Sequence, residues 1–421
     1  MKTRSARPRV LHRWSGILPL LMMMTLSALV TAEQITLRWA TWGPQPIDRQ
    51  LVAAWEQEHP DMPIEYIPTA GTPQHHERLK VLSASGLAPD VMAVDGMFLV
   101  EFVTAGLIRP IDDLLAAEKT FRMSDYFPAS LPDVRYNGKY YGLPYISSPQ
   151  YMVYNVTHVN EAGLPKPNAH WDWATFEEYV RKLTRSADDR ITRRGAATFT
   201  GAYAYWPWLW SAGTDVVDMT TRRFRLTEPA AVEVLDWLAE LQVAGFIGSG
   251  NVANQSTSMQ AMYPAGFPTV TGATWPFEWD VTLPPAGPGG QYTIWKGNAM
   301  GISPSTKHLE EAWELTKFLL APNRTGYNVY ITNKRFPPQT RDSATWNLFH
   351  RPGEDPVSLR DVTLLFASEY SKPFPQLLQW AAIMTDTVRP TLNRIFAGQV
   401  STRIAMEEIR PIVEKLLEAE P

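Results

Sequence analysis

The sequence predicts an α/β fold in two lobes, on three observations. The chain has 421 residues, too many for one ordinary core and suited to two. Its first stretch of about 110 residues alternates strand and helix patterns, which implies a mostly parallel, doubly wound sheet. Residues 135–155, RYNGKYYGLPYISSPQYMVYN, hold six tyrosines around a break at Pro149. There an Asn137-Gly138 turn feeds one strand and a second begins at Tyr151, a pattern suited to a crossing between lobes that also lines a wet, ring-stacking pocket.

The elements follow in order. Residues 35–42 (ITLRWATW) alternate and read as the first strand, stopped by Gly43-Pro44. A helix over 46–59 places Ile47, Leu51, Ala54 and Trp55 on one face. A strand over 62–67, a helix over 72–85 and a short buried strand over 89–94 come next, then a helix over 97–104. Ligands of such sheets lie beyond the carboxyl ends of the strands, which here are Trp42-Gly43 and Asp95-Gly96. The aromatic cluster 203–210 (YAYWPWLW) is expected to be extended because of Pro207, so that alternate rings face one way. Helices are expected over 227–244, 258–263 and 308–320, strands over 269–275 and 294–302, and a loop over 331–338. The segment from about Val362 reads as helical and closes on an amphipathic helix over 402–417.

Hydrophobic content of 45% and charged content of 19% describe a globular chain. There is no cysteine, which excludes disulfides, thiol catalysis, Cys-ligated metal sites and an N-terminal lipid anchor. Residues 1–32 have a basic start, an apolar run over 14–30 and a small-residue site at Val30-Thr31-Ala32. They are expected to be a cleaved signal peptide, with a membrane anchor as the rival reading. Cleavage near Ala32 removes five basic residues and no acids, moving the formal charge from −4 to −9. A mildly acidic mature chain argues against nucleic acid and anionic membrane surfaces as partners. A periplasmic location and a monomer are expected.

Four segments, in order, resemble a known family. They are Ser85-Gly86-Leu87-Ala88-Pro89-Asp90-Val91 with Asp95; Gly138-Lys139-Tyr140-Tyr141-Gly142-Leu143-Pro144-Tyr145 through Asn155; Gly272-Ala273-Thr274-Trp275; and Gly297-Asn298-Ala299-Met300-Gly301-Ile302 with Glu310-Glu311-Ala312-Trp313. The family is the extracellular solute-binding proteins of ABC importers, in the sugar-binding group with maltodextrin- and multiple-sugar-binding proteins. The resemblance implies two discontinuous lobes of the periplasmic-binding-protein type II class, joined by hinge strands, with a small-molecule carbohydrate between them and an inner-membrane ABC permease as partner. The expected boundaries are 33–147 plus 298–338 for one lobe and 148–297 plus 339–421 for the other.

A pyranose offers hydroxyls all round and apolar C–H faces, so its site needs aromatic platforms and convergent polar groups. The candidates are Trp42, Trp208, Trp275 and Trp380 as platforms, and Asp95, Tyr145, Ser147, Ser148, Lys296, Asn298 and Arg335 as polar groups. The maltodextrin proteins carry an acid where this chain has Ser148, which argues against a linear maltodextrin. The pair His75-His76 is read as solvated or at the cleft edge, and no metal or cofactor is expected. The alternatives are a binding protein for glycerol-3-phosphate or a polyamine, and a secreted carbohydrate-active enzyme. The sequence carries no G-x-S-x-G, H-E-x-x-H, P-loop or dinucleotide motif, so the chain is expected not to be an enzyme.

Overall fold

Two separate sheets carry the architecture of the computed structural model, which describes residues 34–420 apart from 44–45, 70, 200–202, 269–273, 351–355, 357 and 366–368. The expected signal peptide and most of the expected strand over 269–275 lie outside the described residues.

The first sheet runs in the order Ser371–Lys372, Thr293–Ile302, Val91–Asp95, Leu37–Trp42, Ile64–Thr69, with Leu143–Pro149 also paired to Thr293–Ile302. Its amino-terminal strands are parallel, as the alternation of patterns predicts. They bury Leu37, Trp39 and Val91–Val94 between the helices Pro46–Glu58, Thr72–Ala84 and Leu99–Thr104. The Thr293–Ile302 strand returns antiparallel between Val91–Asp95 and Leu143–Pro149. The second sheet orders Ile247–Gly248, Arg190–Ala197, Thr257–Met262, Tyr151–Asn155, Trp279–Thr282. The fold is therefore α/β with two sheet-containing lobes, and the chain steps from one sheet to the other across Pro149 and Gln150.

The crossing is irregular where the two hinge strands meet. Lys296 faces Ser148 and Asn298 faces Tyr145, so Gly297 opposes two residues, Ile146 and Ser147. This bulge puts Ile146 at φ 43°, a left-handed conformation that costs a β-branched residue on the order of 1–3 kcal/mol. Gly297 permits the approach: a Cβ there would lie 2.9 Å from the Ser147 hydroxyl and 3.2 Å from Asp133 Oδ2.

Three local expectations are corrected. Residues Thr257–Met262 form a strand, not a helix, because Met259 and its neighbours pair on both sides with Tyr151–Asn155 and Arg190–Ala197. Residues Trp206–Ser211 form a helix rather than an extended run, since Pro207 sits in its first turn, where the missing N–H has no helical partner to lose. The expected loop over 331–338 is preceded by a helix, Thr325–Thr332, that buries Tyr327, Tyr330 and Ile331.

Candidate functional site

A cavity of about 330 Å³ lies where the crossing meets the aromatic helix. One wall comes from the first sheet's carboxyl-end turn, with Met97 and Phe98, and from Lys296 of the return strand. The opposite wall comes from Tyr203, Tyr205 and Trp206, and from Met384, Thr385 and Arg389. Met384 and Thr385 stand on a π-helix, Ala382–Val388, whose wide turn pushes them toward the hollow; such turns gather at functional sites. Tyr203 is held at φ 75°. A second cavity of about 780 Å³ shares Arg389 as a wall residue, and its polar wall includes Gln150, Asn251, Gln260 and Asn393.

The first wall is electrostatically closed upon itself. Asp95 ends its strand fully buried; its Oδ1 accepts from the Met97 N–H at 3.1 Å, and its Oδ2 meets Lys296 Nζ at 2.7 Å. Burial alone would raise the Asp95 carboxyl, but the Lys296 ammonium outweighs it and holds the group below the usual carboxylate range. Burial likewise opposes the ammonium, and Asp95 reverses this and holds Lys296 above its ordinary value. The ammonium also sits 4.8 Å from the Tyr203 ring centroid, so it touches the opposite wall. Behind it, Asp133 Oδ2 accepts from the Gly297 N–H at 2.6 Å. Burial, with Asp95 beside it, pushes the Asp133 carboxyl up to about 7 against the pull of that N–H and of Lys296.

The second wall is a stack of rings. Trp206 lies 5.2 Å from Tyr205 and 6.1 Å from Tyr203, both stacked, and is backed by Trp380 at 5.4 Å. Asp215 fixes the helix by accepting from both Trp206 Nε1 (3.2 Å) and Trp210 Nε1 (2.8 Å).

The residues singled out from sequence are distributed as follows. Asp95, Tyr145, Ser147, Ser148, Lys296 and Asn298 gather at the crossing, and of these Lys296 lines the cavity. Ser147 is engaged by Trp295, whose Nε1 donates to its hydroxyl at 2.5 Å, and Asn298 donates to the Tyr145 carbonyl at 3.2 Å. Trp42 packs on Tyr145 (6.0 Å) and His75 (5.0 Å) at the end of the first strand, and burial pushes the Tyr145 hydroxyl up against the opposing pull of the Arg335 charge. Trp208 stands 4.8 Å from both Phe176 and Phe199 in the second lobe's core; the helical turn points Trp206, two residues earlier, at the cavity instead. Trp380 is buried behind Trp206, and Trp275 stacks on Phe277 at 5.4 Å beside the second sheet. The His75-His76 reading is corrected. Both are fully buried: His75 faces the Ala93 carbonyl at 2.7 Å, and His76 accepts from the Asp95 N–H at 2.9 Å while stacking 4.0 Å from Phe98. Sequence reading missed Arg389, Tyr203 and Asp133. An Asp before a Gly-Lys-Tyr-Tyr-Gly crossing is a findable signal for Asp133, whereas Arg389 is carried to the cavity by tertiary structure alone.

Two lobes, a hinge-strand crossing and a ring-walled hollow beside it are the architecture of a solute-binding protein. The family described as bacterial extracellular solute-binding protein matches residues 41–323, and the chain belongs to it. An uncharacterised lipoprotein of Streptomyces antibioticus is 27% identical over 68% of this chain and 67% of its own length. The ABC substrate-binding protein of Listeria monocytogenes in complex with cycloalternan superposes with a TM-score of 0.82 at 18% identity, over 92% of this chain and all of the other. UgpB of Mycobacterium tuberculosis in complex with glycerophosphocholine gives 0.75 at 17% identity, over 90% of this chain and 98% of the other. At these identities the likeness to the solved structures is one of fold.

Proposed function

We propose that this chain captures a carbohydrate between its lobes and hands it to an ABC permease in the bacterial inner membrane. The observation that carries the reading is the cavity wall of stacked rings, Tyr203, Tyr205 and Trp206, facing Phe98 and Lys296 across about 330 Å³. Ring faces take the apolar C–H side of a sugar, while polar groups at the edge take its hydroxyls. The Listeria neighbour, whose bound cycloalternan is a saccharide, adds support at the level of fold.

With the lobes taken as 33–147 plus 298–338 and 148–297 plus 339–421, Met97 and Phe98 come from the first, Tyr203, Tyr205, Trp206, Met384, Thr385 and Arg389 from the second, and Lys296 from the crossing at their boundary. The hinge is the crossing, where the strained Ile146 and the bulge at Gly297 are the points able to absorb a change in backbone angle. A ligand that touches both walls only when they approach shifts the population toward the closed form. Export with cleavage near Ala32 supplies the compartment, and the protein acts as a monomer with neither cofactor nor catalytic step.

A thermal-shift screen of the protein against saccharides, polyols, glycerophosphates and polyamines tests this. A saccharide at about 100 times its Kd adds about 2.7 kcal/mol and raises the melting point. Stabilisation by glycerophosphates or polyamines with no response to any saccharide contradicts the reading.

A further inference from the structure

We infer that the captured saccharide carries an acidic substituent, a uronate carboxylate or a phosphate ester, seated against Arg389 where the two cavities meet. The inference rests on the carbohydrate reading and narrows it.

The charged groups available to a ligand here can only donate. Lysine and arginine have no acceptor atom. The two acids near the cavity are already engaged: Asp95 by Lys296 and the Met97 N–H, Asp133 by the Gly297 N–H. Among the described residues no acid lines either the 330 Å³ or the 780 Å³ cavity. Acids do line a neighbouring hollow: Lys80 pairs there with Glu77 at 2.7 Å and Glu101 at 2.8 Å, and Asp386 faces that hollow and lines neither of the two cavities.

Arg389 differs from Lys296 in having no carboxylate. Among the described residues no side chain forms an ion pair or hydrogen bond with its guanidinium, which is exposed at the wall common to both cavities. Its charge reaches the ring wall, where it opposes the rise that burial imposes on the Tyr203 and Tyr205 hydroxyls. A second donor waits nearby: the Tyr263 hydroxyl, in the wall of the larger cavity, is buried with no partner among the described residues. A neutral sugar needs acceptors for its hydroxyl protons as much as donors, whereas a carboxylate or phosphate is acceptor-only and matches a guanidinium in bidentate fashion. The division of labour is then physical. The sugar ring lies against the wall of Tyr203, Tyr205 and Trp206, its anionic group faces Arg389, and any further hydroxyls meet the amides of Gln150, Gln260 and Asn393, which both donate and accept. A polyamine is disfavoured by the same count within these two cavities, where the described lining offers it a cation and no carboxylate.

The test is calorimetric titration of the protein and of its Arg389→Gln variant with three matched sets: neutral hexoses and disaccharides, the corresponding uronic acids, and the corresponding sugar phosphates. One charged set is expected to bind at least about tenfold more tightly than its neutral parents, to weaken as salt rises from roughly 50 to 500 mM, and to lose about tenfold in affinity in Arg389→Gln, a larger loss than its neutral parents show. Which charged set responds separates the carboxylate from the phosphate. Neutral sugars binding as tightly as charged ones, or a charged sugar indifferent to Arg389→Gln, overturns the inference and leaves the carbohydrate reading standing. No binding by any of the three sets overturns both.

Discussion

The two walls of the cavity are built on opposite principles. The wall from the first sheet is internally satisfied: Lys296 pairs with Asp95, Asp95 caps the Met97 turn, Asp133 takes the Gly297 N–H, and Ser147 takes the Trp295 indole. The opposite wall is a close-packed ring stack, in which Tyr205 and Trp206 are buried against each other, beside a guanidinium on Arg389 that no described side chain neutralises. A polar group that already has its partners gains little from a ligand, while one without partners gains the full bond. On the proposed reading the first wall is a fixed surface beside the crossing and selectivity belongs to the second.

That contrast can be broken most forcefully at Lys296. In Lys296→Ala the Asp95 carboxylate is left buried without its cation, and the expected loss of stability is about 3–5 kcal/mol in urea unfolding. A loss no larger than that of a surface lysine, below about 1 kcal/mol, would mean the pair is solvated and the first wall is not self-contained.

A smaller effect is expected at Asp133, and it depends on pH. Its carboxyl sits at about 7 in the folded protein, above its ordinary value of 3.8. The folded state therefore holds the proton more tightly, so the stability contributed by the neutral buried acid is full below the unfolded value and is lost as pH rises through 7. An amide keeps the acceptor for Gly297 and has no charge to bury. Asp133→Asn should thus remove a decline on the order of 2–4 kcal/mol between roughly pH 4 and pH 8. Urea unfolding of both proteins across that range measures it, and parallel curves would place the Asp133 carboxyl in contact with water.

The comparison also explains what could be read in advance. The first wall was legible because its groups lie in sequence-local patterns: Asp95 at a strand end, Tyr145 to Ser148 in the Gly-Lys-Tyr-Tyr-Gly-Leu-Pro-Tyr crossing, Lys296 and Asn298 in the return strand. What sequence did not reveal was that most of these side chains are engaged with one another and that Lys296 alone of them lines the cavity. The second wall was legible only as composition. Five aromatics in eight residues announce a ring cluster, but whether Trp206 or Trp208 faces inward depends on a helical phase that Pro207 disguises. Arg389 belongs to a chain segment far from both crossings, and only the π-turn Ala382–Val388 and its packing on Trp206 through Trp380 bring it there. His75 and His76 look solvated as neighbours on a helix, yet the strand ends at Ala93 and Asp95 offer each a buried backbone partner.

The central claim, that ligand lies between these walls, is tested most directly by filling the gap. Thr385 lines the cavity from the π-turn with its side chain only partly buried, so Thr385→Trp blocks the space while removing little from the core. Calorimetric titration of this variant with the saccharide identified by screening should show affinity reduced more than about tenfold, equivalent to about 1.4 kcal/mol, with the unliganded melting point nearly unchanged. Unaltered affinity in a folded Thr385→Trp protein would contradict the account and place the ligand elsewhere.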